Sequence, residues 1–409
     1  MHLNLQKSKI NTNLSIHITG SKSETNRLLL LKALFPQLEI ENSSNSDDSE
    51  VMSKVLFSNE KVNDIHHAGT AMRFLTAFFA VQEGKNVVLT GSSRMKERPI
   101  KILVDALQQI GADITYQENE GFPPILIKGK KITQNKVTLQ ANVSSQYISA
   151  LLLIAPKLEK GLELILEGKI TSVPYIKMTL ALLNEIGVET SFEENIIKVN
   201  NSSEIKSQIL TVESDWSSVS YWYSIIALSE IGTKIKLSSY KQNSLQGDSA
   251  LTEIYEKFGV ETIFNVDNSI TLYKKVNTNV KHISQNLNNC PDIAQTIVVT
   301  CFALGIECDL YGLHTLKIKE TDRLEALKAE LVKLGANVEI TNDSLHLKAS
   351  GKIQENGSVK TYQDHRMAMA FAPLALRVPI CIEDAEVVSK SYPDFWNDLK
   401  KVGFTIEKV

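Results

Sequence analysis

The stretch Leu103-Val104-Asp105-Ala106-Leu107-Gln108-Gln109-Ile110-Gly111-Ala112-Asp113-Ile114-Thr115-Tyr116 decides the reading of the fold. Its apolar residues recur at helical spacing as far as Ile110, Gly111 can take the left-handed conformation that ends a helix, and Asp113 to Tyr116 alternate as a strand does. The same pattern returns at Asn184-Glu185-Ile186-Gly187-Val188, Glu256-Lys257-Phe258-Gly259-Val260, Lys333-Leu334-Gly335-Ala336 and Lys400-Lys401-Val402-Gly403-Phe404. The intervals between the glycines are 76, 72, 76 and 68 residues. Each unit continues into a strand, a polar turn and a second strand, as in Val338-Glu339-Ile340, Thr341-Asn342-Asp343-Ser344 and Leu345-His346-Leu347. Helices that end on glycine occur in any α/β protein, but a near-constant interval followed by a hairpin indicates a repeated βαβ-type unit inside globular domains. A sixth unit is due before Gly111. There Ser49 to Phe57 offers a helix, yet the chain passes almost at once to Asn63-Asp64-Ile65 without glycine or hairpin, so the first unit reads as truncated.

With 409 residues, 43% of them hydrophobic and 22% charged, the chain can bury two cores or more, which excludes a disordered or fibrous protein. A net charge of −3 gives no global reason to bind nucleic acid or an anionic membrane, so any anion site has to be built locally. The start, Met1-His2-Leu3-Asn4-Leu5-Gln6-Lys7, lacks an apolar signal core, and no apolar run reaches membrane-spanning length. A cytoplasmic protein is expected. Cys290, Cys301, Cys308 and Cys381 show no close pairing of the kind used for zinc or a disulfide framework, and are expected as free thiols.

The candidate chemistry sits at helix starts. Gly20-Ser21-Lys22-Ser23-Glu24-Thr25-Asn26-Arg27 precedes an apolar run, and Ser21 with Glu24 has the pattern of a capping box. Free N–H groups and partial positive charge at such an end, joined by Lys22, Ser23 and Arg27, could hold a phosphate; a capped surface helix with incidental basic residues is the plainer reading. The glycine spacing is not that of a P-loop. His67-Ala68-Gly69-Thr70-Ala71-Met72-Arg73 repeats the design, with Thr70 as the capping residue. In Arg94-Met95-Lys96-Glu97-Arg98-Pro99-Ile100, Pro99 suits the first helical position. Ser144-Ser145-Gln146-Tyr147 and Ser172-Val173-Pro174-Tyr175 open further helices with neutral donors. In Cys290-Pro291-Asp292-Ile293-Ala294, Asp292 is either a capping acid or a carboxylate able to bind or deprotonate a hydroxyl. Lys317 to Leu324, Gln363 to Ala370 and Lys390 to Asp394 are the remaining charged starts. Cations ordinarily suit the opposite helix end, and bound anions would resolve that conflict.

The strings Gly20 to Ser23 with Arg27, Ala68 to Arg73, Arg94 to Ile100, Ser144 to Gln146, Pro291 to Ala294, Lys319-Glu320-Thr321-Asp322-Arg323, Asp364-His365-Arg366-Met367-Ala368-Met369 and Lys390-Ser391-Tyr392-Pro393-Asp394 resemble, in order and over nearly the whole chain, the signatures of the 5-enolpyruvylshikimate-3-phosphate synthase family. The resemblance implies an α/β fold of two globular domains, each of three βαβαββ units, with residues 21–214 in one, 1–20 and 215–409 in the other, and the active site in the cleft between. It implies transfer of the enolpyruvyl group of phosphoenolpyruvate to 3-phosphoshikimate by addition and elimination, in a monomer, with no cofactor or metal and no nucleic-acid or membrane partner.

Carried over residue by residue, the resemblance assigns phosphoenolpyruvate to Lys22, Gly69, Arg94, Gln146, Arg323, Arg366 and Lys390. Five cations would thus face a ligand with a phosphate and a carboxylate, both suited to arginine's planar fork. It assigns 3-phosphoshikimate to Lys22, Ser23, Arg27, Ser144, Ser145, Gln146, Ser172, Asp292 and Lys319. Asp292 would accept the hydroxyl proton, and Lys22 and Glu320 would handle protons on the enolpyruvyl side. In the family glyphosate competes for the phosphoenolpyruvate site, so the bare α-carbon of Gly69 is expected to matter to both ligands. His67 and Thr315 stand where the family commonly has asparagine, which bears on ligand affinity. The sister transferase acting on UDP-N-acetylglucosamine typically has asparagine after the first lysine and a catalytic cysteine in its amino-terminal half; here Ser23 follows Lys22, and residues 1–289 hold no cysteine. A non-catalytic binder of phosphate ligands is the third reading, disfavoured by Asp292, Glu320 and Lys22 together.

Overall fold

The computed structural model describes residues 1–141, 144–168, 170, 173–202 and 204–409. These form two compact units, Gly20–Val212 and Met1–Thr19 with Glu213–Val409.

The unit Gly20–Val212 carries two four-stranded sheets and one two-stranded sheet. The first sheet pairs Val62–Asp64 with Asn86–Thr90 in parallel, then adds the antiparallel hairpin Asp113–Tyr116 and Ile125–Lys128. The second repeats this with Lys136–Gln140 parallel to Leu162–Glu167, and the hairpin Thr190–Glu193 and Ile196–Val199. In the third, Leu38–Glu41 lies parallel to Gln208–Thr211 and no hairpin follows. The helix Asp47–Leu56 leads directly to the strand Val62–Asp64, so the truncated unit keeps its βα part and lacks the two outer strands. The helices Lys22–Leu34, Gly69–Ala80, Lys101–Gln109 and Ser145–Ile154 supply much of the core, among them Leu30, Leu31, Phe74, Leu75, Leu103 and Leu151.

The other unit has three complete sheets of four strands. Each has one parallel pair, Leu14–Ile16 beside Lys234–Leu237, His282–Asn286 beside Glu307–Tyr311, and Gly357–Val359 beside Ile380–Ile382, and the first two add an antiparallel hairpin. In the last sheet Leu3–Leu5 lies between Ile380–Ile382 and Ile406–Lys408, so the chain's first strand completes its final unit. The helices Trp216–Ala227, Ala294–Leu304, Arg323–Lys333 and His365–Phe371 bury Trp222, Ile297, Leu327 and Phe371 in this unit's own core.

Gly111, Gly187, Gly259, Gly335 and Gly403 all have positive φ, between 78° and 110°, which a side chain rarely tolerates and which turns each helix into its next strand. Three local expectations fail. Ser21 stands just before the helix Lys22–Leu34 but makes no capping hydrogen bond. Thr70 does not cap its helix, which begins at Gly69, and Pro99 lies outside the helix that begins at Lys101. The four cysteines are unpaired, and among the described residues no helix is long and apolar enough to cross a membrane.

Candidate active site

In the unit Gly20–Val212, Lys22 opens its helix with Nζ 3.6 Å from an oxygen of Asp48. Arg27, one turn on, is buried and held by the protein: Nε donates to Thr179 Oγ1 at 2.8 Å, Nη1 to the Ser23 carbonyl at 2.7 Å, and Nη2 to Ser149 Oγ at 3.0 Å. Its guanidinium also lies over the rings of Phe74 and Tyr175. Burial lowers it to about 10, still far above neutrality, so it remains a cation.

Gly69 begins the helix Gly69–Ala80, and Arg98 reaches over that start: a methyl group on Gly69 would lie 2.5 Å from Arg98 Nη1. Gln146 Nε2 donates to Thr70 Oγ1 at 3.1 Å, which brings Gln146 to the Gly69 end of the helix. Ser144 caps the helix Ser145–Ile154 by accepting from the Gln146 N–H, and Ser145 is buried in its first turn. Arg94 sits inside the short helix Ser93–Lys96, exposed, with Nη1 2.9 Å from Glu97. Ser172 lies outside the described residues.

In the other unit the expected residues converge on one network. Asp292, in the 3-10 turn Pro291–Ile293, does not cap a helix. Its Oδ1 accepts from Arg323 Nη1 at 2.8 Å and is 3.4 Å from Lys319 Nζ, and its Oδ2 is 3.5 Å from Arg366 Nη2. Arg323, 2% exposed, also donates through Nε to Asp364 at 2.6 Å and through Nη2 to Glu320 at 2.8 Å. Asp364 in turn caps the helix His365–Phe371 by accepting from the Arg366 N–H. Lys390 Nζ donates to the carbonyl of Gln363, which like Tyr362 before it has positive φ, so the backbone entering the Asp364 motif is held in a sparsely populated conformation. The Thr315 hydroxyl is buried with no hydrogen-bond partner among the described residues.

Burial alone would raise Asp292; Lys319, Arg366 and Arg323 outweigh it and hold this carboxyl well below the usual carboxylate range. The network therefore presents a firmly ionised acid among cations whose donors are divided between protein carboxylates and whatever anion arrives. Two participants went unassigned in the sequence. Asp364 stands there only as part of the charged start Gln363 to Ala370, and Asp248, in the 3-10 turn Gly247–Ala250, has no local pattern that sets it apart.

The fold of repeated units is shared with solved structures of other proteins. The solved structure of the enolpyruvyl transferase NikO from Streptomyces tendae superposes with a TM-score of 0.74 at 13% identity, covering 99% of this chain and 98% of that one. The EPSP synthase from Acinetobacter baumannii superposes with a TM-score of 0.82 at 20% identity over 99% of both chains. The family model of EPSP synthase (3-phosphoshikimate 1-carboxyvinyltransferase) matches residues 37–399, and the chain belongs to that family. A 3-phosphoshikimate 1-carboxyvinyltransferase from Bacteroides fragilis is 46% identical over 397 residues, 96% of each protein.

Proposed function

We propose that this enzyme transfers the enolpyruvyl group of phosphoenolpyruvate to the 5-hydroxyl of 3-phosphoshikimate and releases inorganic phosphate. The observation that carries this reading is the network joining Asp292, Lys319, Glu320, Arg323 and Arg366, an acid surrounded by cations in a chain of this family. Asp292 accepts the proton of the attacking hydroxyl as its oxygen bonds to the enol carbon, while the methylene carbon gains a proton from Lys22 or Glu320. The tetrahedral adduct then loses phosphate as the methyl group gives a proton back. Before ligands arrive Asp292 is too weak a base for this. Anions on Lys319, Arg323 and Arg366 draw off the positive field that depresses it, so substrate binding itself raises its basicity. Charge stabilisation and positioning supply most of the rate, with no cofactor required of this chain.

In this proposal Arg94, Gly69, Gln146, Lys22, Arg323, Arg366 and Lys390 hold phosphoenolpyruvate, and Lys22, Ser23, Arg27, Ser144, Ser145, Gln146, Ser172, Asp292 and Lys319 hold 3-phosphoshikimate. Arg27 contributes mainly by fixing the Ser23 carbonyl and the Ser149 hydroxyl, since most of its own donors are already used. The proposed reaction takes place in a cytoplasmic monomer. Phosphate release measured with phosphoenolpyruvate and either 3-phosphoshikimate, UDP-N-acetylglucosamine or no acceptor tests the reading. Release with 3-phosphoshikimate alone is expected; release with the nucleotide sugar, or binding without release, would replace it by the sister activity or by a binding protein.

A further inference from the structure

Asp248 lies beside the network and is absent from the assignments above. It is 4% exposed, and its two oxygens differ: Oδ2 accepts from the Ser217 hydroxyl, while Oδ1 is buried with no hydrogen-bond partner among the described residues. The Ser217 oxygen accepts from Arg366 Nη2 at 3.2 Å, and the same nitrogen is 3.5 Å from Asp292 Oδ2. A single guanidinium nitrogen is thus divided between Asp292 directly and Asp248 through one hydroxyl. Arg366 Nε is itself buried without a partner among the described residues, so this cation has spare donor capacity.

A buried ionised carboxylate with one unsatisfied oxygen is costly, and protonation of that oxygen removes the charge. Burial and then the Asp292 carboxylate push Asp248 up to about 7; Arg366 and the Ser217 hydrogen bond lower it by less, and Asp215 adds a further push upward. The Cys290 thiol also lies in its field and is driven up to about 12 by burial, Asp248 and Asp292, so it stays neutral. Near neutral pH, Asp248 therefore exchanges between acid and carboxylate while Asp292 stays ionised.

We infer that Asp248 is a positioning residue of the transfer reaction: through the Ser217 hydroxyl it sets the pose of the Arg366 guanidinium, and by holding or losing its proton it sets how much of that cation is left for an incoming phosphoenolpyruvate anion. The inference rests on the proposed transfer activity and on Arg366 as a ligand of phosphoenolpyruvate. With Asp248 neutral, Arg366 faces one protein carboxylate and the ligand. With Asp248 ionised, a second carboxylate competes for it, and the enzyme's hold on phosphoenolpyruvate weakens.

The test is kcat/KM for phosphoenolpyruvate at saturating 3-phosphoshikimate, from pH 6 to pH 8, in the wild type, Asp248→Asn and Ser217→Ala. Asparagine keeps the shape of the neutral acid and cannot ionise. For a group titrating at about 7, the wild-type value should fall relative to that of Asp248→Asn by roughly tenfold between these pH values, through KM with kcat moving less. Ser217→Ala removes the link without touching either acid, and should flatten the profile in the same way while raising KM at pH 6 on the order of tenfold. A merely structural Asp248 would give variants with lower activity but a wild-type pH profile, and that result overturns the inference. So does a Ser217→Ala enzyme with wild-type KM and profile, even if Asp248→Asn does not fold. A wild type that releases no phosphate at any pH overturns the transfer reading as well, which separates the two failures.

Discussion

Arg323→Met removes a buried guanidinium that three acids share. Arg323 is 2% exposed and bonds Asp292 at 2.8 Å, Asp364 at 2.6 Å and Glu320 at 2.8 Å. Methionine fills a similar volume but leaves the acids facing one another. Breaking one partner of a buried ion pair costs about 3–5 kcal/mol. In a unit of this size that corresponds to a fall in Tm of roughly 6–20 °C, at about 2–4 °C per kcal/mol. The loss depends on pH with a definite sign. A carboxyl held below its unfolded value, as Asp292 is, contributes stability that is present at neutral pH and is lost as pH falls through its folded value. Removing Arg323 weakens the field that holds Asp292 down, so that contribution shrinks at pH 7.5. In acid, where the carboxyls of the variant protonate, the repulsion among them is relieved. Calorimetry at pH 7.5 and at about pH 4 should show the gap in Tm between the proteins narrowing toward acid. Adding Asp364→Asn to the variant should recover part of the loss. A Tm gap under about 2 °C that is the same at both pH values would refute the account of Arg323 as the counter-charge of this network.

Asp292→Asn should lower kcat by at least about a hundredfold while calorimetry still detects 3-phosphoshikimate binding, and a near-normal kcat would return Asp292 to a structural role. Gly69→Ala places a methyl group 2.5 Å from Arg98 Nη1, which must move aside. The inhibition constant for glyphosate, the longer ligand, should then rise more than the KM for phosphoenolpyruvate; equal changes in both would mean that Gly69 is only a turn residue. Asp248 keeps its proton in the folded chain up to about 7, against about 3.8 when unfolded, so its contribution to stability falls as pH rises between those values. Asp248→Asn should therefore gain in Tm relative to the wild type on going from pH 4.5 to pH 8, by the equivalent of a few kcal/mol at most, and thermal melts that run parallel would contradict it.

The repeat was legible because it rests on a local necessity. A helix that must turn at once into a strand needs a residue with positive φ, and glycine at 111, 187, 259, 335 and 403 marks the place in the sequence itself. The truncated unit was legible for the same reason, through the missing glycine before Val62–Asp64. Capping was less legible: the helix begins at Gly69, ahead of the expected cap, so Thr70 lies inside its first turn, where its hydroxyl accepts from Gln146, 76 residues away. The charged strings could be recognised one by one, but not the bonds between them. Asp292, Arg323 and Asp364 come from three helix starts, and only packing reveals that Arg323 joins all three sites while Arg27 spends its donors on its own unit. Asp248 left no trace in the sequence because its character comes from burial and from Asp292, neither of which is local.

The placement of Leu3–Leu5 between Ile380–Ile382 and Ile406–Lys408 has a consequence for synthesis on the ribosome. The unit Gly20–Val212 is continuous in sequence and can assemble as soon as it emerges. The amino-terminal strands cannot. Leu14–Ile16 waits for Lys234–Leu237, and Leu3–Leu5 waits for the last strand of all. At about 5–20 residues per second, the first strand spends roughly 20–80 s without either neighbour. Its short length, and the charged and polar residues that follow it, from Gln6 and Lys7 to Asn11, Thr12 and Asn13, limit what a nascent chain can wrongly pair during that interval.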